Sequence, residues 1–167
     1  MTATQPKMSS MTSVNSPIVE PSERVLVITR IFDAPRELVF KAYTDPNLIP
    51  QWWGLRSSTT IVDKMDVRPG GVWRFVQRDA EGNEYAFNGQ YREIVPPERL
   101  AYTFEFEGMP GHVLLETVTF EERGGKTKVK VLSLCDSVED RDGMIQSGME
   151  AGVNESHDRL AELLANA

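Results

Sequence analysis

Two side chains of this sequence, Glu116 and His157, have the chemistry of an acid or base catalyst. His157 falls near the apolar stripe of a predicted C-terminal helix, where an imidazole can exchange protons near neutral pH. A lone histidine on an apolar face is more often a hydrogen-bonded structural residue, and we favour that interpretation. Glu116 lies on a predicted strand whose two faces are nearly matched in polarity. Turned inward, it would be a candidate general acid because desolvation would raise its pKa; the outward, solvated orientation is favoured.

Nucleophilic and metal-dependent chemistry find less support in the sequence. Ser133 and Cys135 have no recognisable base beside them and no GxSxG elbow. His112 and His157 are the only histidines, and they lie in different predicted elements, without an HExxH spacing or a cysteine cluster. We therefore predict no metal and no cofactor, and the chain leans away from being an enzyme.

The segment PNLIPQWWG, which begins at Pro46, places Trp52 and Trp53 side by side. Neighbouring side chains point about 100° apart on a helix and to opposite faces on a strand. The two indoles therefore cannot share one position in a core, and at least one of them is predicted to line another feature.

The elements that would position these residues are mostly strands. Runs of alternating or β-branched residues, separated by turns rich in Gly, Pro, Asn and Asp, predict an antiparallel meander. The predicted strands are 24–32, 59–67, 72–78, 84–95, 100–106, 113–122 and 126–134. Two short helices are predicted after the first strand. The second, over 47–53, is a short helix or helical turn that Pro50 breaks and Gly54 ends.

The end of the chain predicts one long helix over about 141–165, with Ser137 near its start as a cap. Ile145, Met149 and Val153 begin its apolar face, which continues to Leu164. Gly148, Gly152 and Ser156 recur every four residues beside that face. Each helical glycine costs about 1 kcal/mol relative to alanine, so either close packing on the sheet, which we favour, or space for a guest must compensate.

One face of the predicted sheet is strongly aromatic. Phenol and indole groups are costly in a dry core unless they find partners or water, which favours a cavity between the sheet and the helix. The alternative for any single tyrosine is that its hydroxyl reaches the sheet rim. The residues predicted to bind a ligand there are Trp52, Trp53, Trp73, Phe75, Tyr85, Phe87, Tyr91, Tyr102, Phe104, Met149, Gly152 and Val153.

Composition limits the class of protein. The chain has 167 residues, of which 40% are hydrophobic and 26% charged, and this balance predicts one globular domain over 23–167. Residues 1–22 are rich in Ser, Thr and Pro and are predicted to be a flexible tail. The net charge of −7 opposes nucleic-acid binding. A single cysteine, no secretory signal and no long apolar run predict a cytoplasmic protein without a membrane span.

The segments ITRIFDAPRELVFKAYTDPNLIPQWWG, RPGGVWRFV, NGQYREIVPPERLAYTFEF and SGMEAGVNESHDRLAELL, in this order, resemble the activator of heat-shock-protein-90 ATPase homologue family. This family belongs to the SRPBCC, or START-like, superfamily. The resemblance implies an α+β helix-grip fold, in which a curved antiparallel sheet of about seven strands wraps a long C-terminal helix around an internal cavity. It also implies that one indole of the tryptophan pair packs inward and the other borders the opening. Relatives often carry an aromatic residue where this chain has Val153, which implies a larger or differently shaped cavity.

Three functions are compatible with these residues, because this fold serves many. We favour binding of a small apolar or aromatic ligand in the cavity. The second hypothesis, from the resemblance, is a chaperone partner whose ATPase the protein activates. The third is a cyclase-like or hydrolytic enzyme that uses Glu116, His157 or a tyrosine hydroxyl.

Overall fold

A seven-stranded antiparallel sheet forms the body of the computed structural model, which describes residues 24–167. The predicted tail at 1–22 lies outside the described residues. The strands are β1 (Val25–Phe32), β2 (Thr59–Met65), β3 (Val72–Arg78), β4 (Glu84–Val95), β5 (Arg99–Phe106), β6 (Leu114–Arg123) and β7 (Lys126–Leu134). Their order across the sheet is β1-β7-β6-β5-β4-β3-β2. β1 and β2 are thus the two edges, and the segment between them must cross from one side of the sheet to the other.

The sheet is curved, and its inward face carries the alternating aromatic residues. Register shifts interrupt the β2–β3 and β4–β5 pairings, and such bulges increase local bending and twist. On the inward face Trp73, Phe75 and Tyr91 are buried. Gly89 makes room for one of them, because a Cβ at Gly89 would overlap both the Trp73 indole and the backbone of β5. The predicted helix-grip fold is confirmed.

The segment between β1 and β2 contains helix α1 (Arg36–Thr44) and a single 3₁₀ turn (Ile49–Gln51). Of the two forms predicted over 47–53, a short helix or a helical turn, the structure has the turn, and its 3₁₀ part is shorter than the predicted range. Pro50 occupies the first part of the turn, and the backbone leaves helical geometry at Trp52, where φ is −141°. The turn ends directly before the two tryptophans.

The C-terminal segment forms two helices, α2 (Val138–Gln146) and α3 (Met149–Ala165), so the prediction of one continuous helix is wrong. Ser137 caps α2, accepting a hydrogen bond from the backbone N–H of Asp140 at 3.0 Å. The break lies at Gly148, whose φ of 82° is left-handed and ends the helical path. Helix α2 buries none of its residues, and Ile145, which was predicted to face inward, is exposed.

Helix α3 packs against the core and holds the tryptophan segment in place. Leu160 is completely buried in the same cluster as residues of α1 and the sheet. The Arg159 guanidinium donates to the carbonyl oxygens of Trp53, Gly54 and Leu55 at 3.0–3.5 Å. Within residues 24–167, no helix combines the length and apolar character that crossing a membrane would require.

Candidate functional site

The concave face of the sheet and helix α3 enclose a cavity of about 670 Å³. All twelve residues predicted to bind a ligand line this cavity, and so do Glu116 and His157. Tyr85, one of the twelve, and Leu55, another lining residue, are 43% and 42% exposed. The cavity therefore reaches the surface beside them. The hydroxyl-bearing Tyr85 therefore lies at the rim, whereas the other predicted aromatic residues lie deeper.

The two adjacent tryptophans have different environments. Trp52 is only 3% exposed, and its indole N–H donates to the carbonyl oxygen of Ala42 in α1 at 3.0 Å. Its ring centroid lies 4.8 Å from that of Tyr43. Trp53 is partly accessible, and its ring makes edge contacts with Phe75 and Phe87 at 5.1 and 5.4 Å. Trp52 thus fixes the 3₁₀ turn onto α1, and Trp53 joins the aromatic wall of the cavity.

The aromatic wall comes from adjacent strands of the sheet. Trp73 contacts Phe75, Tyr102 and Phe104, with ring centroids 4.8–5.9 Å apart. Phe87 contacts Phe104 at 5.6 Å. These separations fall in the range where offset and edge-to-face arrangements stabilise aromatic pairs, so the rings support one another as a preformed surface.

Helix α3 contributes small residues to the opposite side of the cavity. A Cβ placed at Gly152 would meet only the Leu55 side chain, at 4.0 Å, and Met149 and Val153 lie beside this open space. The favoured explanation of the glycine spacing, close packing on the sheet, is therefore wrong at Gly152. Ser156 has a different role, because its hydroxyl and the backbone of Gly54 exchange hydrogen bonds at 2.9 and 3.2 Å.

Glu116 points into the cavity, so the favoured outward orientation is wrong. Its carboxyl group accepts hydrogen bonds from the Tyr102 hydroxyl at 3.2 Å and from the Ser133 hydroxyl at 3.0 Å. Burial raises the pKa of Glu116, and the two hydrogen bonds oppose that shift. Burial, reinforced by the charge of Glu116, raises the pKa of Tyr102 well above its usual value. The accessible surface that Glu116 retains faces the cavity it lines.

Strand register explains why these three groups meet. Tyr102 pairs with Glu116 across β5 and β6, and Glu116 pairs with Ser133 across β6 and β7. Directly opposed residues in adjacent strands project to the same face. Along β6, Val118 and Phe120 are buried on the face that Glu116 shares, and this alternation is the signal in the sequence that could have placed the carboxyl group inward.

His157 lies at another part of the cavity wall and is 4% exposed. Its Nε2 is 3.5 Å from the Tyr43 hydroxyl, and its Nδ1 has no hydrogen-bond partner among the described residues. The ring meets Phe32 edge-on at 5.5 Å. Burial, together with the nearby charge of Arg30, lowers the pKa of His157 to about 4, although Asp158 opposes this shift. A neutral, buried imidazole fits the structural role favoured from the sequence.

Acid should destabilise the fold through His157. Because the folded pKa is about 4 and the ordinary value is 6.5, the unfolded chain takes up a proton between these pH values that the folded chain does not. Above pH 6.5 both states are neutral and His157 contributes no pH dependence. Lowering the pH to 4 should cost about 3 kcal/mol of unfolding free energy from this residue.

Urea unfolding followed between pH 7 and pH 4 measures this contribution. The variant His157→Gln should lose this part of the slope, since glutamine does not titrate. The exposed His112, which binds Asp140 at 2.9 Å, provides the control variant His112→Gln. Equal slopes for wild type and His157→Gln would contradict the assignment.

No group of three or more His, Cys, Asp or Glu side chains within residues 24–167 is placed to hold a metal ion. Cys135 is buried, with its Sγ 3.7 Å from the Met144 sulfur. Burial raises the pKa of its thiol, which disfavours the thiolate needed of a nucleophile.

Known proteins share this architecture. The profile of a family described as "Activator of Hsp90 ATPase homolog 1-like protein" matches residues 33–165. A crystal structure from Rhodobacter sphaeroides is similar with a TM-score of 0.86 and 25% identity, over 92% of this chain and 100% of that one. A solution structure from Arthrobacter aurescens has a TM-score of 0.84 and 23% identity, over 93% and 94% of the two chains. A crystal structure from Chromobacterium violaceum has a TM-score of 0.76 and 26% identity, over 84% and 96%. None of the curated proteins compared matches this chain.

Proposed function

The chain belongs to the family of activator of Hsp90 ATPase homolog 1-like proteins, and from that premise we propose that it binds one small hydrophobic ligand in its cavity. The observation that carries the proposal is an interior volume of about 670 Å³ that no side chain fills. Ligand sites generally occupy about 300–1,000 Å³ and combine an apolar lining with a few polar groups. The aromatic wall supplies the apolar lining, and the Glu116 cluster, formed by Glu116, Tyr102 and Ser133, supplies the polar groups.

Energetics also favour an occupant. Because the cavity reaches the surface beside Leu55 and Tyr85, water meets its apolar lining, which lacks the dispersion contacts of a packed core. A ligand that fills the space regains these contacts and removes its own apolar surface from water, at roughly 25 cal/mol per Å². Much smaller apolar cavities in other proteins bind benzene or xenon.

Energy transfer from tryptophan to a polycyclic probe tests the proposal. The chain has three tryptophans, and all of them line the cavity. Since pyrene absorbs where tryptophan emits, titration with 1-methylpyrene should give saturable transfer at one molecule per chain. Binding should also raise the unfolding temperature, because a ligand of the folded state stabilises it by mass action. Absence of saturable transfer and of any thermal shift would contradict ligand binding.

Catalysis in the cavity is a second candidate, favoured by the inward position of Glu116. Burial raises the pKa of Glu116, and a buried carboxyl group with a raised pKa can serve as a general acid. Mass spectrometry of a bound natural compound before and after incubation would distinguish turnover from simple binding, because only turnover changes its mass or fragmentation. The chaperone partner also stays a prediction, to be tested with the purified chaperone.

A further inference from the structure

At the polar end of the cavity, Glu116, Tyr102 and Ser133 form a cluster that offers hydrogen-bond acceptors. Tyr102 and Ser133 each direct their single hydroxyl proton at Glu116. Toward the cavity these hydroxyl groups therefore present lone pairs, and the carboxylate keeps lone pairs beyond the two it uses. A ligand group that brings a proton of its own therefore gains a hydrogen bond from this cluster.

Charge restricts the ligand further. Among the described residues that line the cavity, none is lysine or arginine, whereas both Asp79 and Glu116 are acidic. An anionic ligand would find no cation to pair with, and burying an unpaired charge is far more costly than burying a hydrogen-bonded neutral group. A carboxylate would also bring only acceptors to the Glu116 cluster, whose two hydroxyl protons are already donated to Glu116.

A hydroxyl group satisfies both conditions. It donates one proton and accepts through two lone pairs, so it can bind Glu116 whether that carboxyl group is ionised or protonated. Tyr43 also lines the cavity, close enough for the charge of Glu116 to act on its hydroxyl. The remainder of the ligand would contact the aromatic wall formed by Trp53, Trp73 and Phe87.

We propose, on the premise of the ligand-binding function above, that the cavity selects an uncharged polycyclic compound with a hydroxyl group, which Glu116 and its partners Tyr102 and Ser133 bind, and that it rejects carboxylates of the same shape. Selection of this kind depends on a penalty for the wrong ligand as much as on contacts with the right one.

Three probes with the same ring system separate the contributions of apolar contact, a hydroxyl group and a negative charge to the binding affinity. 1-Methylpyrene measures apolar binding, 1-pyrenemethanol adds a neutral hydroxyl group, and 1-pyrenecarboxylate replaces it with an anion. Each is titrated against the full chain at pH 7 by tryptophan energy transfer. We expect the alcohol to bind at least about tenfold more tightly than the carboxylate.

The variant Glu116→Gln tests whether the Glu116 cluster causes the difference in affinity between the alcohol and the carboxylate. An amide retains acceptor capacity and adds donors, without charge, so the carboxylate should bind about tenfold more tightly than it does to wild type. Binding of 1-methylpyrene, which brings no polar group to the cluster, is the reference against which the change is measured. Glu122→Gln is the matched control, because Glu122 lies on the same strand but is exposed, and it should behave as wild type.

Tyr102→Phe provides a second variant if Glu116→Gln fails to fold. Removing the phenol oxygen should weaken binding of the alcohol about tenfold relative to 1-methylpyrene. If no probe binds wild type, the ligand-binding function itself is overturned. If 1-methylpyrene binds but the alcohol-to-carboxylate ratio is the same in wild type and Glu116→Gln, only the proposed selectivity is overturned.

Discussion

Replacing Trp52 with alanine is expected to lower the free energy of unfolding by about 3–5 kcal/mol, the usual cost of truncating a buried tryptophan. The indole is 3% exposed and donates a hydrogen bond to the Ala42 carbonyl at 3.0 Å. Truncation would leave a void against Tyr43 and an unpaired carbonyl in α1. Urea or thermal unfolding monitored by circular dichroism measures the loss.

Trp53→Ala is the matched comparison, because the two residues are adjacent and chemically identical. Trp53 is partly accessible and faces the cavity, so its removal should cost less stability while weakening the binding of 1-methylpyrene. Trp52→Phe, which keeps an aromatic ring but loses the N–H donor, should fall between wild type and Trp52→Ala. A larger loss of stability from Trp53→Ala than from Trp52→Ala would reverse the assignment of the two roles.

The strands could be predicted from the sequence because their signals are local. Alternation within a strand and Gly- or Pro-rich turns between strands both lie within a few residues of one another. Alternation along β3 predicted that Trp73 and Phe75 share the inward face, and both are buried in the structure. Strand boundaries and the inward aromatic face therefore needed no knowledge of distant contacts.

The C-terminal helices show where local signals are insufficient. Gly148 and Gly152 lie four residues apart and have the same intrinsic helix propensity. Gly148 adopts a left-handed conformation and separates α2 from α3, whereas Gly152 continues the helix. The difference comes from the tertiary structure, in which α3 packs against the core and α2 buries none of its residues.

Glu116 illustrates the same limit for the site. Alternation with Val118 and Phe120 is a local signal for the inward face of β6, but it does not show which groups Glu116 meets there. Those groups follow from the register that aligns it with Tyr102 on one side and Ser133 on the other. Strand pairing brings together residues that are distant in sequence. The sequence therefore marked Glu116 as a candidate but did not predict that Tyr102 and Ser133 would bind it.

The variant Gly152→Phe should abolish most ligand binding without unfolding the protein. A side chain at Gly152 enters open space, since a Cβ there meets only Leu55 at 4.0 Å. A phenyl ring that excludes about 100 Å² of apolar ligand contact costs about 2.5 kcal/mol at roughly 25 cal/mol per Å², which weakens binding about 60-fold. The 1-methylpyrene titration and thermal unfolding measure the two effects.

Stability should stay constant or rise in Gly152→Phe, and this separates cavity filling from general damage. Removing a helical glycine gains up to about 1 kcal/mol, and the ring regains contacts that the cavity lacks. Gly143→Ala is the control, because Gly143 is an exposed helical glycine in α2 whose added Cβ meets no atom within 4 Å. It should share the gain in helix stability and keep full binding. If Gly152→Phe folds and still binds 1-methylpyrene as wild type does, the ligand does not occupy the part of the cavity beside Gly152.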